Sequence, residues 1–408
     1  MPLGVSFVFF HTSRSMRNYA FICFIFISQL VVSQNYIYDL DTKAPIEAVN
    51  IYFSDALGVI TNEDGYFELP DQLTTDTLAV SHLSYTSKTI ALADLKNKDT
   101  IFLSNSPIVL DEIVLRNINP KDSVLKAIKN IDKNYINKPY NAYGFFRQSL
   151  QENKKGVEMI EVEFIGYNNN KSVSTEIVNA RRTENYSELG LKTHGGVAAM
   201  FENGDFVRNK AHFLDPEKLD LYEFKYEGQI PYQDMTFYKI RFYPKSENIE
   251  VLRKGVLYLE AKSFAIAEIR YTYDKEKLAE ISKESEKGMN TRNPIYRLKD
   301  VDNLIRYKQL TNGKWGLIYI EAYNLREGLF KDQSYSYHLT AKLVINTIKT
   351  EKPVKVRTNY NLTKDFSKVV KKFDNLDRWD DNYRLSLSSS EKQLLKDIKD
   401  QQTNTKSN

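Results

Sequence analysis

Five histidines, one cysteine and no nucleophile elbow narrow the chemistry open to this 408-residue chain. His11, His82, His194, His212 and His338 are scattered, and none opens a His-x-x-Glu or His-Glu-x-x-His run, so the ligand spacing of a zinc peptidase is absent. Cys23 is the sole cysteine, which excludes an intrachain disulfide. The sequence has no Gly-x-Ser-x-Gly and no phosphate-cradling glycine loop. His194-Gly195-Gly196 has the look of an oxyanion loop, but no nucleophile accompanies it. Glu63-Asp64 offers carboxylates for a calcium corner; such a loop needs six or more oxygens, and with few other acids nearby the pair is expected to shape a turn. His82 shares a strand face with Leu78 and Val80 and is expected to be a half-buried packing residue. A carboxylate pair for glycoside hydrolysis depends on a tertiary distance and stays open as an alternative. No residue is assigned a catalytic, cofactor-binding or metal-binding role, no cofactor is expected, and the chain is expected not to be an enzyme.

The elements that hold these residues are written in the composition. Lys and Arg total 57 against 53 for Asp and Glu, a net +4 that is too balanced for a dedicated nucleic-acid binder. With 42% hydrophobic residues, 27 Tyr and 22 Phe, the chain can bury a core and favours strands. Tyr19 to Val32 is an apolar run that follows Arg14 and Arg17 and contains no acid, the length of a secretory h-region and too short for a comfortable transmembrane helix. Val31 and Ser33 suit the −3 and −1 positions of a signal-peptidase site, so residues 1–33 are expected to be a cleavable signal peptide, with Met16 a more compact start than Met1. Cys23 lies inside the run rather than at its end, which argues against lipidation. The expected location is the periplasm or the periplasmic face of the outer membrane.

Residues 34–116 read as seven short strands: 36–40, 48–53, 58–61, 66–69, 77–82, 87–92 and 100–103. Asp64-Gly65 between two of them is a hairpin signal, because glycine tolerates the positive φ of a tight turn. Four segments here, Pro45 to Ile51, Thr61 to Phe67, Leu78 to Tyr85 and Leu110 to Leu115, resemble in order the signatures of the carboxypeptidase-regulatory-like domain. Ser84 and His82 depart from the family's usual glycine and aromatic. The resemblance implies a prealbumin-like seven-stranded sandwich of the kind found at the front of exported Bacteroidetes proteins, including TonB-dependent receptors, and implies no catalysis.

Residues 117–388 read as a larger antiparallel β-rich domain. Asn119 caps a helix with Pro120 at its first position, and Val124, Ile128, Ile131 and Tyr135 form one apolar face that should dock on a sheet and end before Pro139. Tyr143 to Gln148 resembles a strand opening that follows the regulatory-like domain in related proteins, with Gln148 where a Glu is usual beside Arg147. Alternating runs at 238–243, 255–260, 265–271, 303–309, 315–322 and 336–345 read as half-buried antiparallel strands, with Asn312-Gly313 a hairpin turn. Their order is similar to the half-barrel of periplasmic lipoprotein carriers, whose concave apolar face would hold a hydrophobic ligand. A plain sheet covered by the helices at Pro120 and near Asp215-Pro216 is the alternative. Lys275 to Lys287 reads as a solvated helix or loop. In residues 389–408, Ser388-Ser389-Ser390-Glu391 forms a capping box ahead of Leu394, Leu395 and Ile398, with fraying expected from Gln401.

The fold class is therefore mainly β: an N-terminal sandwich, a larger antiparallel sheet and a few helices. The expected role is an exported, non-enzymatic cell-envelope protein that binds a hydrophobic ligand or an outer-membrane protein, and no nucleic acid. An outer-membrane β-barrel carrying a periplasmic sandwich is the alternative, beside the carboxylate-pair hydrolase. The sequence leaves the oligomeric state open.

Overall fold

The computed structural model describes residues 35–406 apart from 55–57, 71–72, 74, 96–99, 110–117, 186, 188, 191–192, 246–251, 286–294, 331–332 and 374–384. The segment expected to be a signal peptide, with Cys23, and the Leu110 to Leu115 signature lie outside these residues.

Strands β1 (Asn35–Asp39), β2 (Asn50–Tyr52), β3 (Gly58–Ile60), β4 (Tyr66–Phe67), β5 (Thr77–His82), β6 (Tyr85–Ala91) and β7 (Thr100–Leu103) form two sheets, β4-β1-β7 and β3-β2-β5-β6. Their inward positions alternate as the sequence requires, and Ile37, Val49, Ile51, Phe67, Leu78, Val80 and Leu103 fill the space between the sheets. The Asp64-Gly65 turn exists, but it is not a hairpin. β3 and β4 belong to different sheets, and the chain crosses between them at a corner where the Asn62 side chain accepts from the Asp64 and Tyr66 N–H groups, both at 3.0 Å. Gly65 has φ +74°, and a Cβ there would meet the Ile37 carbonyl at 2.3 Å.

The remaining strands are β8 (Tyr140–Glu152), β9 (Lys155–Asn168), β10 (Val173–Glu184), β11 (Tyr222–Tyr232), β12 (Met235–Pro244), β13 (Arg253–Glu260), β14 (Ile266–Tyr273), β15 (Ile295–Gln309), β16 (Trp315–Phe330) and β17 (Gln333–Lys349). They make one antiparallel sheet in the order β10-β9-β8-β17-β16-β15-β14-β13-β12-β11, with β10 and β11 as its outermost strands. The sheet does not close. One face buries Phe146, Val162, Ile305, Leu343 and Ile345 beneath Val124 and Ile128 of helix Pro120–Lys129, Phe201 of helix Gly196–Asn203, Phe213 and Phe366. The other face buries Phe145, Leu304, Tyr319 and Val344 beneath Ala48 and Ile60 of the sandwich and Leu385. With protein on both faces of its centre, the sheet lacks the lipid-facing apolar band of an outer-membrane barrel, so that alternative is corrected. Helices pack on the face that would line the expected apolar groove.

The Asn119 cap accepts from Lys121 and Asp122 N–H at 3.1 and 3.2 Å. The helix breaks earlier than expected, at Asn130, because the Asn130 and Asn134 amides both donate to the Ser263 carbonyl, and a short turn Ile131–Asn134 follows. Residues Lys275–Ser285 are helical, and the Asn312-Gly313 turn joins β15 to β16. The C-terminal helix Ser389–Lys406 starts at the Ser388–Glu391 capping box, with Ser388 N–H donating to Glu391 at 2.9 Å and Glu391 N–H to Ser388 Oγ at 3.1 Å. The helix extends to Lys406, with Gln401 accepting from Asn185 and Gln402 donating to the Glu184 carbonyl. Among the described residues, no helix is long and apolar enough to cross a membrane.

Candidate functional site

The two-residue alternation of β8 puts Phe145, Arg147, Ser149 and Gln151 on the sandwich side of the long sheet and Phe146 on the helix side. On that same side three charged pairs sit in direct cross-strand register: Arg147 opposite Glu161, Lys342 opposite Glu321 and Arg306 opposite Glu268. Directly opposed residues have their Cβ atoms about 5 Å apart, close enough for long side chains to meet. Arg147 donates from Nε and Nη2 to Glu161 Oε1 at 3.1 and 2.9 Å, Lys342 lies 3.2 Å from Glu321 Oε1, and Arg306 Nε donates to Glu268 Oε2 at 2.7 Å. The cations are 3%, 3% and 5% exposed, so each needs its partner to remain charged.

Each cation then has a donor left over, and each sends it off the sheet. Arg306 donates to the Ala48 carbonyl and sits 2.7 Å from His82 Nε2, both in the sandwich. Lys342 donates to Glu47, also in the sandwich, at 2.8 Å. Arg147 donates to the Leu385 carbonyl at 2.6 Å and to Glu391 Oε2 at 2.9 Å. The sandwich and the C-terminal segment are thus docked on the long sheet by three buried cations.

Between these docking points lies a polar cavity of about 530 Å³. Its floor is the sheet face around Lys342, Glu321, Thr340 and Tyr323, and its walls are Glu47 and Glu63 of the sandwich and Ser390, Glu391 and Leu394 of the C-terminal helix. Burial works against the Lys342 charge, but Tyr319, Glu321 and Glu47 around it hold its pKa well above the ordinary lysine range. Burial raises the Glu47 carboxyl, with Lys342 opposing. Burial, with Arg306 and Arg270 close by, holds the His82 pKa well below its ordinary value, so the ring is neutral.

The residues singled out from the sequence fall in different places. Glu63 and Asp64 do shape a turn, and they also reach the start of the C-terminal helix: Glu63 accepts from the Ser388 (2.8 Å) and Ser390 hydroxyls, and Asp64 from the Ser389 N–H. His82 is half-buried, and its Arg306 contact makes it part of a docking joint as well as a packing residue. Arg147 is a hub of the ion pairs, whereas Gln148 points to the other face and donates to Thr193 Oγ1 at 3.0 Å. Gly196 of the His194 loop admits the Phe366 ring, which a Cβ would meet at 2.3 Å, so that glycine serves packing. His212 packs against Phe206, and burial beside Arg253 brings its pKa down to about 4. His338 lies against Tyr323 at the cavity.

Sequence reasoning missed Glu161, Glu268, Arg306, Glu321 and Lys342, and read Glu391 only as a capping-box residue. The available signal was a charge interrupting an alternating apolar run, as in Leu304-Ile305-Arg306-Tyr307, at a position the alternation assigns to a covered face.

With the sandwich and its docking described, comparison with known proteins is informative for the first module. Residues 36–115 match the family model of the CarboxypepD_reg-like domain. The sandwich is a CarboxypepD_reg-like domain. No curated protein matches the chain. Among solved structures, a DUF1329 family protein from Desulfovibrio piger ATCC 29098 is similar at 9% identity and TM-score 0.24, over 58% of this chain and 96% of that chain, a level that carries no argument about the long sheet. The CarboxypepD_reg-like domain thus accounts for one wall of the cavity, and the long sheet and C-terminal helix for the rest.

Proposed function

We propose that the chain is an exported, non-enzymatic cell-envelope protein that binds a polar ligand in the cavity between its CarboxypepD_reg-like domain and its long sheet. The observation that carries this reading is the cavity's construction from three segments far apart in sequence, held in place by buried ion pairs and lined by hydrogen-bonding groups. Binding sites gain from walls whose rotamers are locked, because less ordering is left for the ligand to impose. The polar lining turns the ligand expectation away from an acyl chain. Export is supported by the apolar segment Tyr19 to Val32 behind Arg14 and Arg17.

The test is a thermal-shift and calorimetric screen of the purified chain with neutral, cationic and acidic sugars and diamines, with palmitate as the apolar comparator. Saturable stabilisation by a polar compound, weakened at least tenfold by Asp302→Asn or Thr340→Val on the cavity lining, is expected. Saturable stabilisation by palmitate alone would contradict it. One observation favours a second reading: Glu47 and Glu321 both reach Lys342 at the cavity floor, which places two carboxylates in one cleft. Turnover of a glycan by the purified chain, abolished by Glu321→Gln, would establish that hydrolase reading in place of the first. Osmotic-shock fractionation of the producing cells tests the location, with release of the chain into the shock fluid expected.

A further inference from the structure

The C-terminal helix begins where three segments meet. The 386–388 stretch leads into it from the Leu385 and Ser386 carbonyls, both held by Arg147. Glu63 and Asp64 take the Ser388, Ser389 and Ser390 donors, so two carboxylates of the CarboxypepD_reg-like domain stand at the positive end of an 18-residue helix. Glu391 faces the other way, to Arg147 in the sheet. The first two turns supply Ser390, Glu391 and Leu394 to the cavity wall.

Past this turn the helix is held by one apolar seam and, near its far end, by bonds from Asn185 to Gln401 and from Gln402 to the Glu184 carbonyl. Of residues 391–400, Glu391, Leu394 and Ile398 are buried, and the apolar contact is a strip in which Leu394 and Ile398 meet Met159 of β9, with Leu387 and Leu395 packed against it. A segment with few buried apolar contacts and a polar clasp belongs to the low-stability end of a fold and opens locally before the core does. Releasing Glu391 leaves Arg147 bonded to Glu161 and to two carbonyls, so opening creates no isolated buried charge.

We infer that the C-terminal helix is a strap over the polar cavity, clasped at its first turn by the Asn62–Gly65 corner, and that loosening this clasp opens the cavity while the sandwich and long sheet stay folded. This inference stands on the clasp geometry and holds whether or not the cavity's ligand is polar.

The test combines hydrogen exchange with thiol labelling of the full chain. Thr340→Cys on the cavity floor, in a Cys23→Ser background, reports access to the cavity, and amide exchange of residues 389–394 reports the strap. Replacing the clasp with Glu63→Ala and Asp64→Ala is expected to speed both by about tenfold, since a lost cap is worth roughly a factor of that size, with exchange in β15 to β17 unchanged. Unchanged exchange at 389–394 would overturn the clasp. Faster exchange there with unchanged labelling of Thr340→Cys would overturn the strap as a cover. If the double variant raises exchange everywhere, Ser390→Ala, which removes one clasp bond and leaves the corner intact, decides between the same outcomes.

Discussion

At the scale of single residues, the molecule depends on buried cations that are neutralised within the sheet and reach out of it. Arg306 shows the logic: Glu268 cancels its charge, while the Ala48 carbonyl receives a further donor and His82 Nε2 lies 2.7 Å from the guanidinium. Breaking a buried pair by removing one partner costs about 3–5 kcal/mol, because the other charge stays buried, whereas replacing both with apolar residues can be close to neutral. Arg306→Met is therefore expected to destabilise by about that amount in urea unfolding, and adding Glu268→Leu should recover most of it. Recovery of none would mean that the bonds to the sandwich, and not the charge left behind, dominate. His82 supplies a pH dependence. Its pKa in the folded chain lies well below the ordinary 6.5, so above that pH the ring is neutral in both states and its contribution is fully present. As pH falls below 6.5 the unfolded chain takes up a proton that the folded chain, with Arg306 beside the ring, resists, and stability falls. His212 adds to the same trend at lower pH. Denaturant titrations at pH 7 and pH 5 should show His82→Asn losing less stability than the parent over that interval, and equal losses would contradict the assignment.

At the scale of elements, local chemistry written in the sequence reappears in the structure. The Asn119 cap and the Ser388–Glu391 box are both formed. Asn119→Ala should cost about 1 kcal/mol, as exposed caps do. Ser388→Ala should cost more, because Ser388 is fully buried and its hydroxyl also serves Glu63. Equal costs for the two in chemical unfolding would contradict the tie between this helix and the sandwich. The strands and caps were legible because they rest on two-residue alternation and on donors within three or four positions. The corner at Asp64-Gly65 was misread as a hairpin because a tight turn looks the same whether its strands pair or enter different sheets. The helix break at Asn130 was hidden because its cause, the Ser263 carbonyl, lies on another element.

At the scale of the whole molecule, residues 35–408 form one compact unit in which the CarboxypepD_reg-like domain is bolted to the long sheet. The domain was legible as a sequence signature; its docking was not, because Lys342 and Glu47, or Arg306 and Ala48, are hundreds of residues apart and each charge alone reads as surface. The cavity, made by that docking, was hidden for the same reason. If two buried cations, Arg306 and Lys342, join the modules, sandwich and sheet must melt together. Differential scanning calorimetry of the full chain tests this most directly. One transition with equal calorimetric and van't Hoff enthalpies is predicted, splitting into two when Arg306→Met and Lys342→Met are combined. Two separate transitions in the parent chain would contradict the account.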